Sequence, residues 1–222
     1  LLADGPQGLA VADIRDPAAP AVVAQACTLA YAYDVAVVGA TAYLAAGGSG
    51  ILAVDVADPL APRELGLTVA EGFQYDVAAK GSRLYAASAW GGVHAFDTAN
   101  PAQLQPTLAV PTPGWAFALA PWGDAWLVMD GGNGALLYDL DNGHTEPRAS
   151  LLTGGIVVAG AAGTDTAFTL DNALGLVAFS HPKPALLQFI GSWSPLFDAQ
   201  DALLSGDRSE EHTSELQSPY VI

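Results

Sequence analysis

Cysteine occurs once in the 222 residues, at Cys27, and methionine also once. A single thiol makes no disulfide within the chain and builds no thiolate zinc site. It is compatible with either redox compartment, and the apolar run around Cys27 gives it the part of a small core hydrophobe. Basic residues are scarce: Lys and Arg number 7 against 23 Asp and Glu, a formal charge of -16. Such a surface repels phosphate backbones and anionic headgroups, so no nucleic-acid partner is expected. It suits cations, basic proteins or neutral glycans, and it also simply keeps a repeat protein in solution. Long apolar runs are missing too. The longest uncharged apolar stretch, around Ile156 to Ala162, falls far short of the roughly 18 residues a membrane-spanning helix needs. The chain opens at Leu1 inside a repeat, without an initiating Met; its native N-terminus is expected upstream, and the lack of a leader peptide carries no weight.

What is present is a tandem repeat. Gly8, Gly50, Gly92 and Gly134, spaced by 42 residues, each open a short apolar run closed by Asp13, Asp55, Asp97 and Asp139. The stretch from Asp34 to Tyr75 holds four strand signals. These are Val35 to Val38 ended by Gly39, Ala42 to Ala45, Ile51 to Val56 after the Gly47-Gly48-Ser49-Gly50 turn, and Glu64 to Val69 after Asp58-Pro59 and Pro62. Glycine or Asn recurs at the tight turns because a hairpin there needs positive φ. Asp-Pro or Asn-Pro recurs at the second turn, where proline presets φ and the Asx side chain accepts a local N–H. Helix signals are absent throughout.

The third strand fixes the layering. Leu9, Ile51, Val93 and Ala135 are apolar, and the residues after them, Ala10, Leu52, His94 and Leu136, point the opposite way. A strand dry on both faces belongs to a sheet covered on both sides. Four-stranded antiparallel sheets repeating every 42 residues and packed face to face predict an all-β fold of β-propeller blades. The expected units are 1–33 (partial), 34–75, 76–117, 118–158, 159–199 and 200–207 (partial). Asp201 to Leu204 begins a further first strand, which would either complete the N-terminal three strands as a five-bladed ring or end an open arc of a larger propeller.

The runs Gly50-Ile51-Leu52-Ala53-Val54-Asp55-Val56-Ala57-Asp58-Pro59 and Gly8 to Pro17 resemble the LVIVD repeat, a glycine, four apolar residues, Asp, an apolar residue and an Asp-Pro turn. Val37 to Ala45 is similar to that family's preceding strands. The likeness extends over about residues 1–206 and degenerates late, where Asp139 lacks the Asp-Pro turn and Ser180 replaces the Asp. It implies β-propellers of bacterial and archaeal surface or secreted proteins, hence an extracellular or cell-surface location, with no general catalytic residues to carry over. From Arg208 the sequence lacks turns and alternation and resembles a translated sequencing-library adapter. Residues 208–222 are therefore expected to be a non-native or disordered tail, and their removal leaves the acidic balance intact.

Chemistry is thinly signalled. The glycine clusters lead into strands, with no Lys-Ser/Thr or helix following, and so read as hairpin turns rather than phosphate cradles. Asp139 to Gly143 only faintly resembles a calcium loop, with its glycine one position early and no bidentate Glu. The recurrent Asp13, Asp55, Asp97 and Asp139 read as turn contacts, since a reaction needs one asymmetric constellation. His94 replaces an apolar residue and reads as a histidine hydrogen-bonded between blades. No catalytic residue, metal site or cofactor is expected. The suggestive constellation is aromatic: Tyr31 and Tyr33, Phe73 and Tyr75, Trp115 and Phe117 stand just before successive first strands, with Phe197 nearby in the last unit and Asp34 and Asp76 beside the first two pairs. On a propeller these connections approach the channel mouth, where rings and carboxylates would hold a glycan, a peptide or another protein. Their recurrence is also what wedge packing between blades demands. The polar turn Asp141 to Arg148 is a second candidate. The expected function is non-catalytic binding or scaffolding. The alternatives are a propeller-type hydrolase or lactonase with a metal-assisted site at the mouth, and a purely structural spacer.

Overall fold

The computed structural model describes residues 1–26, 28, 30–183, 186–193, 199–205 and 208–213. Cys27, Phe197 and residues 214–222 lie outside the described residues. All regular structure among them is strand. Strands β1 (Leu2–Ala3), β2 (Leu9–Asp13) and β3 (Ala21–Ala26) form a three-stranded sheet. Four-stranded sheets follow in simple up-and-down order: β4 (Asp34–Val38), β5 (Thr41–Ala45), β6 (Ile51–Asp55) and β7 (Arg63–Thr68); then β8 (Asp76–Lys80), β9 (Arg83–Ala87), β10 (Val93–Asp97) and β11 (Gln105–Val110). The next is β12 (Ala118–Trp122), β13 (Ala125–Met129), β14 (Ala135–Tyr138) and β15 (Ala149–Leu151), and the last is β16 (Val157–Ala162), β17 (Thr166–Asp171), β18 (Gly175–Lys183) and β19 (Leu186–Trp193). A two-stranded sheet, β20 (Ala199–Ser205) with β21 (Arg208–Thr213), completes the series.

The C-terminal end differs from the sequence expectation. β20 contains the anticipated first strand, but its hydrogen-bonded partner is β21, and the β1–β3 sheet keeps three strands. Arg208 to Thr213, set aside in the sequence as tail, supply that partner strand.

The chain divides into an N-terminal body, Leu1–Leu119, and a C-terminal body, Ala120–Ile222. In the N-terminal body the β4–β7 sheet is covered on both faces. Tyr43, Ala45, Ile51 and Ala53 pack with Val77, Leu84, Ala86 and Phe96 of the β8–β11 sheet. The alternate residues Ala42, Leu44, Leu52 and Val54 pack with Leu9 and Ala32 on the other side. Ile51 and Leu52 are both buried, at 0% and 2% exposure, and full burial of such side chains contributes about 1.5–3 kcal/mol each. The β4–β7 sheet is thus a blade-like layer, dry on both sides.

Turn chemistry repeats with the sheets. Gly50 has φ +110°, and a Cβ there would lie 2.1 Å from the Thr68 carbonyl oxygen; only glycine lets β6 and the end of β7 approach so closely. Gly8, Gly92 and Gly134 hold the same place against Ala26, Val110 and Leu151. At the opposite sheet end, Oδ1 of Asp13, Asp55 and Asp97 accepts the N–H of Arg15, Ala57 and Ala99 at 3.0, 3.0 and 2.8 Å. These are Asx turns, one per sheet.

In the C-terminal body every residue of β13, Ala125 to Met129, is fully buried. The Trp122 ring meets Phe179 edge-on with centroids 5.8 Å apart. Both indoles find acceptors, Trp122 Nε1 the Thr164 carbonyl at 3.2 Å and Trp126 Nε1 the Asp141 carboxylate at 2.9 Å, as buried tryptophans do.

Candidate functional site

After each sheet of the N-terminal body, the segment leading to the following first strand crosses back over that sheet's turn before Gly8, Gly50 or Gly92. Antiparallel bridges fix the crossing: Gly5 to Ala32, Gly47 to Gln74, Ala89 to Ala116. The bridging residue faces inward, so Ala32, Gln74 and Ala116 are buried. Its neighbours on either side must then face away, because side chains alternate along extended chain. Those neighbours are Tyr31 and Tyr33, Phe73 and Tyr75, Trp115 and Phe117. Glycine makes room beneath them: a Cβ on Gly47 would lie 2.7 Å from Phe73 Cζ and 2.9 Å from Tyr33 Cε2.

The rings form one connected strip. Centroid separations are 4.7 Å for Tyr31–Tyr33, 5.1 Å for Tyr33–Phe73, 4.7 Å for Phe73–Tyr75, 5.2 Å for Tyr75–Phe117 and 6.2 Å for Phe117–Trp115. Trp90, 5.8 Å from Trp115, extends it. Trp90 has no forerunner in the repeat, since Gly48 stands at the equivalent turn position, and the sequence marks it only as that replacement. Tyr31, Tyr33, Trp90 and Trp115 are exposed at 51, 42, 58 and 51%; Phe73, Tyr75 and Phe117 are half-buried.

Asp34 and Asp76 lie beside the strip and tie the first strands together. Asp34 Oδ2 accepts the Val77 N–H at 3.0 Å, and Asp76 Oδ2 accepts the Leu119 N–H at 2.7 Å. Ala118 holds the next equivalent position, so the series ends there. The two carboxyl groups also meet each other. Burial first, then the Asp34 charge and its hydrogen bond, push the Asp76 carboxyl well above the ordinary carboxylate range, against the pull of the Leu119 and Val77 amides.

A stability test follows from this pair. With its folded value raised, Asp76 holds a proton in the folded chain that it has released in the unfolded one, so stability falls as pH rises from the ordinary carboxylate range through the raised value. Asparagine keeps an oxygen for the Leu119 amide and donates to Asp34. Asp76→Asn should therefore melt about 2–4 °C above wild type near neutrality, an effect of about 1 kcal/mol, and the gap should close on acidification toward the ordinary carboxylate value. An equal gap at all pH values would contradict the shared-proton reading.

Behind the strip lies a buried polar chain. Ser88 Oγ donates to Gln74 Oε1 at 2.6 Å, and His94 Nδ1 lies 2.9 Å from Ser88 Oγ. Gln74 Nε2 donates in turn to the Glu71 carbonyl at 3.0 Å. The serine proton is committed to Gln74, so its oxygen accepts from His94 Nδ1–H and is not activated as a nucleophile. Burial lowers the His94 pKa, outweighing the opposing Glu71 charge. This corrects the sequence reading of a histidine bonded between blades: its partner belongs to its own sheet.

The second candidate, Asp141 to Arg148, is anchored rather than open. The Arg148 guanidinium reaches Asp139 Oδ2 at 2.6 Å and Asp124 at 3.1 Å, and His144 Nδ1 lies 3.2 Å from Asp139. Burial alone would raise the Asp139 carboxyl; Arg148 and Asn142 outweigh it and hold it below the ordinary range. A depression of about 390 Å³ lined by Asp13, Arg15, Asp16, Ala19 and Ala21 sits at an Asx turn far from the rings. Among the described residues no group of three or more His, Cys, Asp or Glu is placed to hold a metal ion, and no helix is long and apolar enough to cross a membrane.

Comparison with known proteins bears on the fold. No curated protein matches the chain. A crystal structure of the computationally designed protein Ika8 superposes with a TM-score of 0.67 at 9% identity, over 86% of this chain and 58% of Ika8. The computationally designed Ika4 superposes at 0.55 and 9% identity, over 65% of this chain and 88% of its own. This chain thus spans little more than half the length of Ika8, and the likeness concerns the fold alone. The LVIVD repeat model matches residues 2–28 and 30–68. The matched residues span the sheets β1–β3 and β4–β7, with their glycine, apolar run and Asx turn.

Proposed function

We propose that the chain is a run of β-propeller blades from an exported or cell-surface protein, and that it works as a non-catalytic binding module. The partner is recognised at the ring-bearing end of the blades, which in a propeller is a mouth of the central channel. The observation that carries this reading is the connected aromatic strip, four of whose seven rings are exposed. Rings serving only as wedges between blades would be buried like Tyr43 and Tyr85, both within 1% of full burial. Large exposed apolar patches on folded domains mark interaction sites, and aromatic faces contribute about 0.5–1.5 kcal/mol per pair beyond the area they cover.

The test uses peptide and glycan arrays probed with the wild-type chain and with Tyr33→Ser/Trp115→Ser. Both rings face solvent, so the double variant should melt within a few degrees of wild type and lose about tenfold or more of its array signal. Array ligands retained by the double variant, or a collapsed melting transition, would count against the proposal.

A further inference from the structure

The ring-bearing end of the N-terminal body is segregated in charge as well as in shape. The body's lysines and arginines are Arg15, Arg63, Lys80 and Arg83. Arg15 follows β2, Arg63 opens β7, Lys80 closes β8 and Arg83 opens β9, and in the up-and-down order each of these places is at the sheet end opposite the rings. Arg15 and Arg63 are further committed there to Asp13 and Asp55, at 2.5 and 2.7 Å. At the ring end stand Asp4, Asp34, Glu71 and Asp76, with no lysine or arginine beside them. His94, behind the strip, is kept neutral by burial. With one proton shared between Asp34 and Asp76, the end still carries net negative charge, and a surface of π faces among such carboxylates is complementary to organic cations, which rings attract through their quadrupole and carboxylates through charge.

Resting on the binding-module reading above, we infer that this end takes a basic peptide segment whose Arg or Lys side chains lie over the Tyr and Trp faces and against Asp4, Glu71 and the Asp34–Asp76 pair. A peptide fits better than a single ammonium ion because the strip runs unbroken from Tyr31 to Trp90 across three sheets. A neutral glycan would use the rings but would leave the carboxylates without countercharge.

Calorimetry on the full chain tests this with four probes: a short peptide alternating Arg and Gly, its Glu-Gly counterpart, spermine, and a neutral maltooligosaccharide. The Arg-Gly peptide should bind, more weakly as salt rises, and its affinity should fall about three- to tenfold in Asp4→Asn and in Glu71→Gln, while Asp76→Asn, which replaces a carboxyl that already holds a proton, should leave it within about twofold of wild type. Glu64→Gln, at the far sheet end, should change nothing. Binding of the oligosaccharide with equal affinity in all variants would overturn the cation inference and leave the binding-module reading standing. Spermine binding as tightly as the peptide would overturn the peptide assignment. Failure of the Arg-Gly peptide to bind at all, or binding that Tyr33→Ser/Trp115→Ser leaves intact, would overturn the inference outright.

Discussion

Gly50→Ala is expected to lower the free energy of unfolding by about 2–5 kcal/mol, from a backbone forced into a region alanine rarely enters and from overpacking against a fixed carbonyl. Both causes are visible. The residue has φ +110°, and the added Cβ meets the Thr68 oxygen at 2.1 Å and the Val69 Cα at 2.9 Å, with backbone rather than a movable side chain in the way. Gly39 is the control. It too has positive φ, +61°, but no atom lies within 4 Å of its added Cβ, so Gly39→Ala should cost only about 1 kcal/mol. Urea denaturation of the two variants beside wild type separates strain from collision. Equal costs at the two sites would show that close approach at Gly50 does not matter.

A comparable loss is expected on each side of one strand. Ile51→Ala and Leu52→Ala should each destabilise by about 2–5 kcal/mol, although consecutive residues of a strand point to opposite faces. Ile51 belongs to the cluster with Val77, Leu84 and Phe96, and Leu52 to the cluster with Leu9 and Ala32. A sheet with its back to water would lose stability from only one of the pair. Denaturant midpoints that leave either variant within about 0.5 kcal/mol of wild type, as for a surface substitution, would refute the two-sided layering on which the architecture stands.

Much of this arrangement was legible because it recurs. Strand starts near Asp34, Asp76 and Ala118 follow from the recurring glycine turns, and the inward neighbours of β6 follow from apolar residues at consecutive positions. The aromatic pairs were legible for the same reason. What escaped depends on contacts distant in sequence or on a single exception. In the three sheets of the N-terminal body the last strand carries a bulge, with the register shifting after Val11, Ala53 and Ala95; one extra residue in a strand leaves no compositional mark. The fourth four-stranded sheet opens at Val157 rather than 159. Its entry is shaped by the Asp171 carboxylate, which gathers the Thr153 hydroxyl and the amides of Gly155, Ala173 and Leu174. Trp90 joined the site by standing where glycine was expected, a deviation that periodic reading treats as noise. The His94 partner was misplaced because alternation specifies a face but not the neighbour found on it.

The carboxylate-to-amide bonds from Asp34 to Val77 and from Asp76 to Leu119 run in one direction, each sheet serving its successor. Growth of the array by segment duplication is therefore unequal along the chain. A copied segment that brings its own first-strand aspartate arrives with a donor waiting downstream, whereas one spliced directly behind Ala118 meets a predecessor with nothing to offer. Lengthening is thermodynamically easiest on the N-terminal side of Ala118, where the youngest and most alike copies would be preserved.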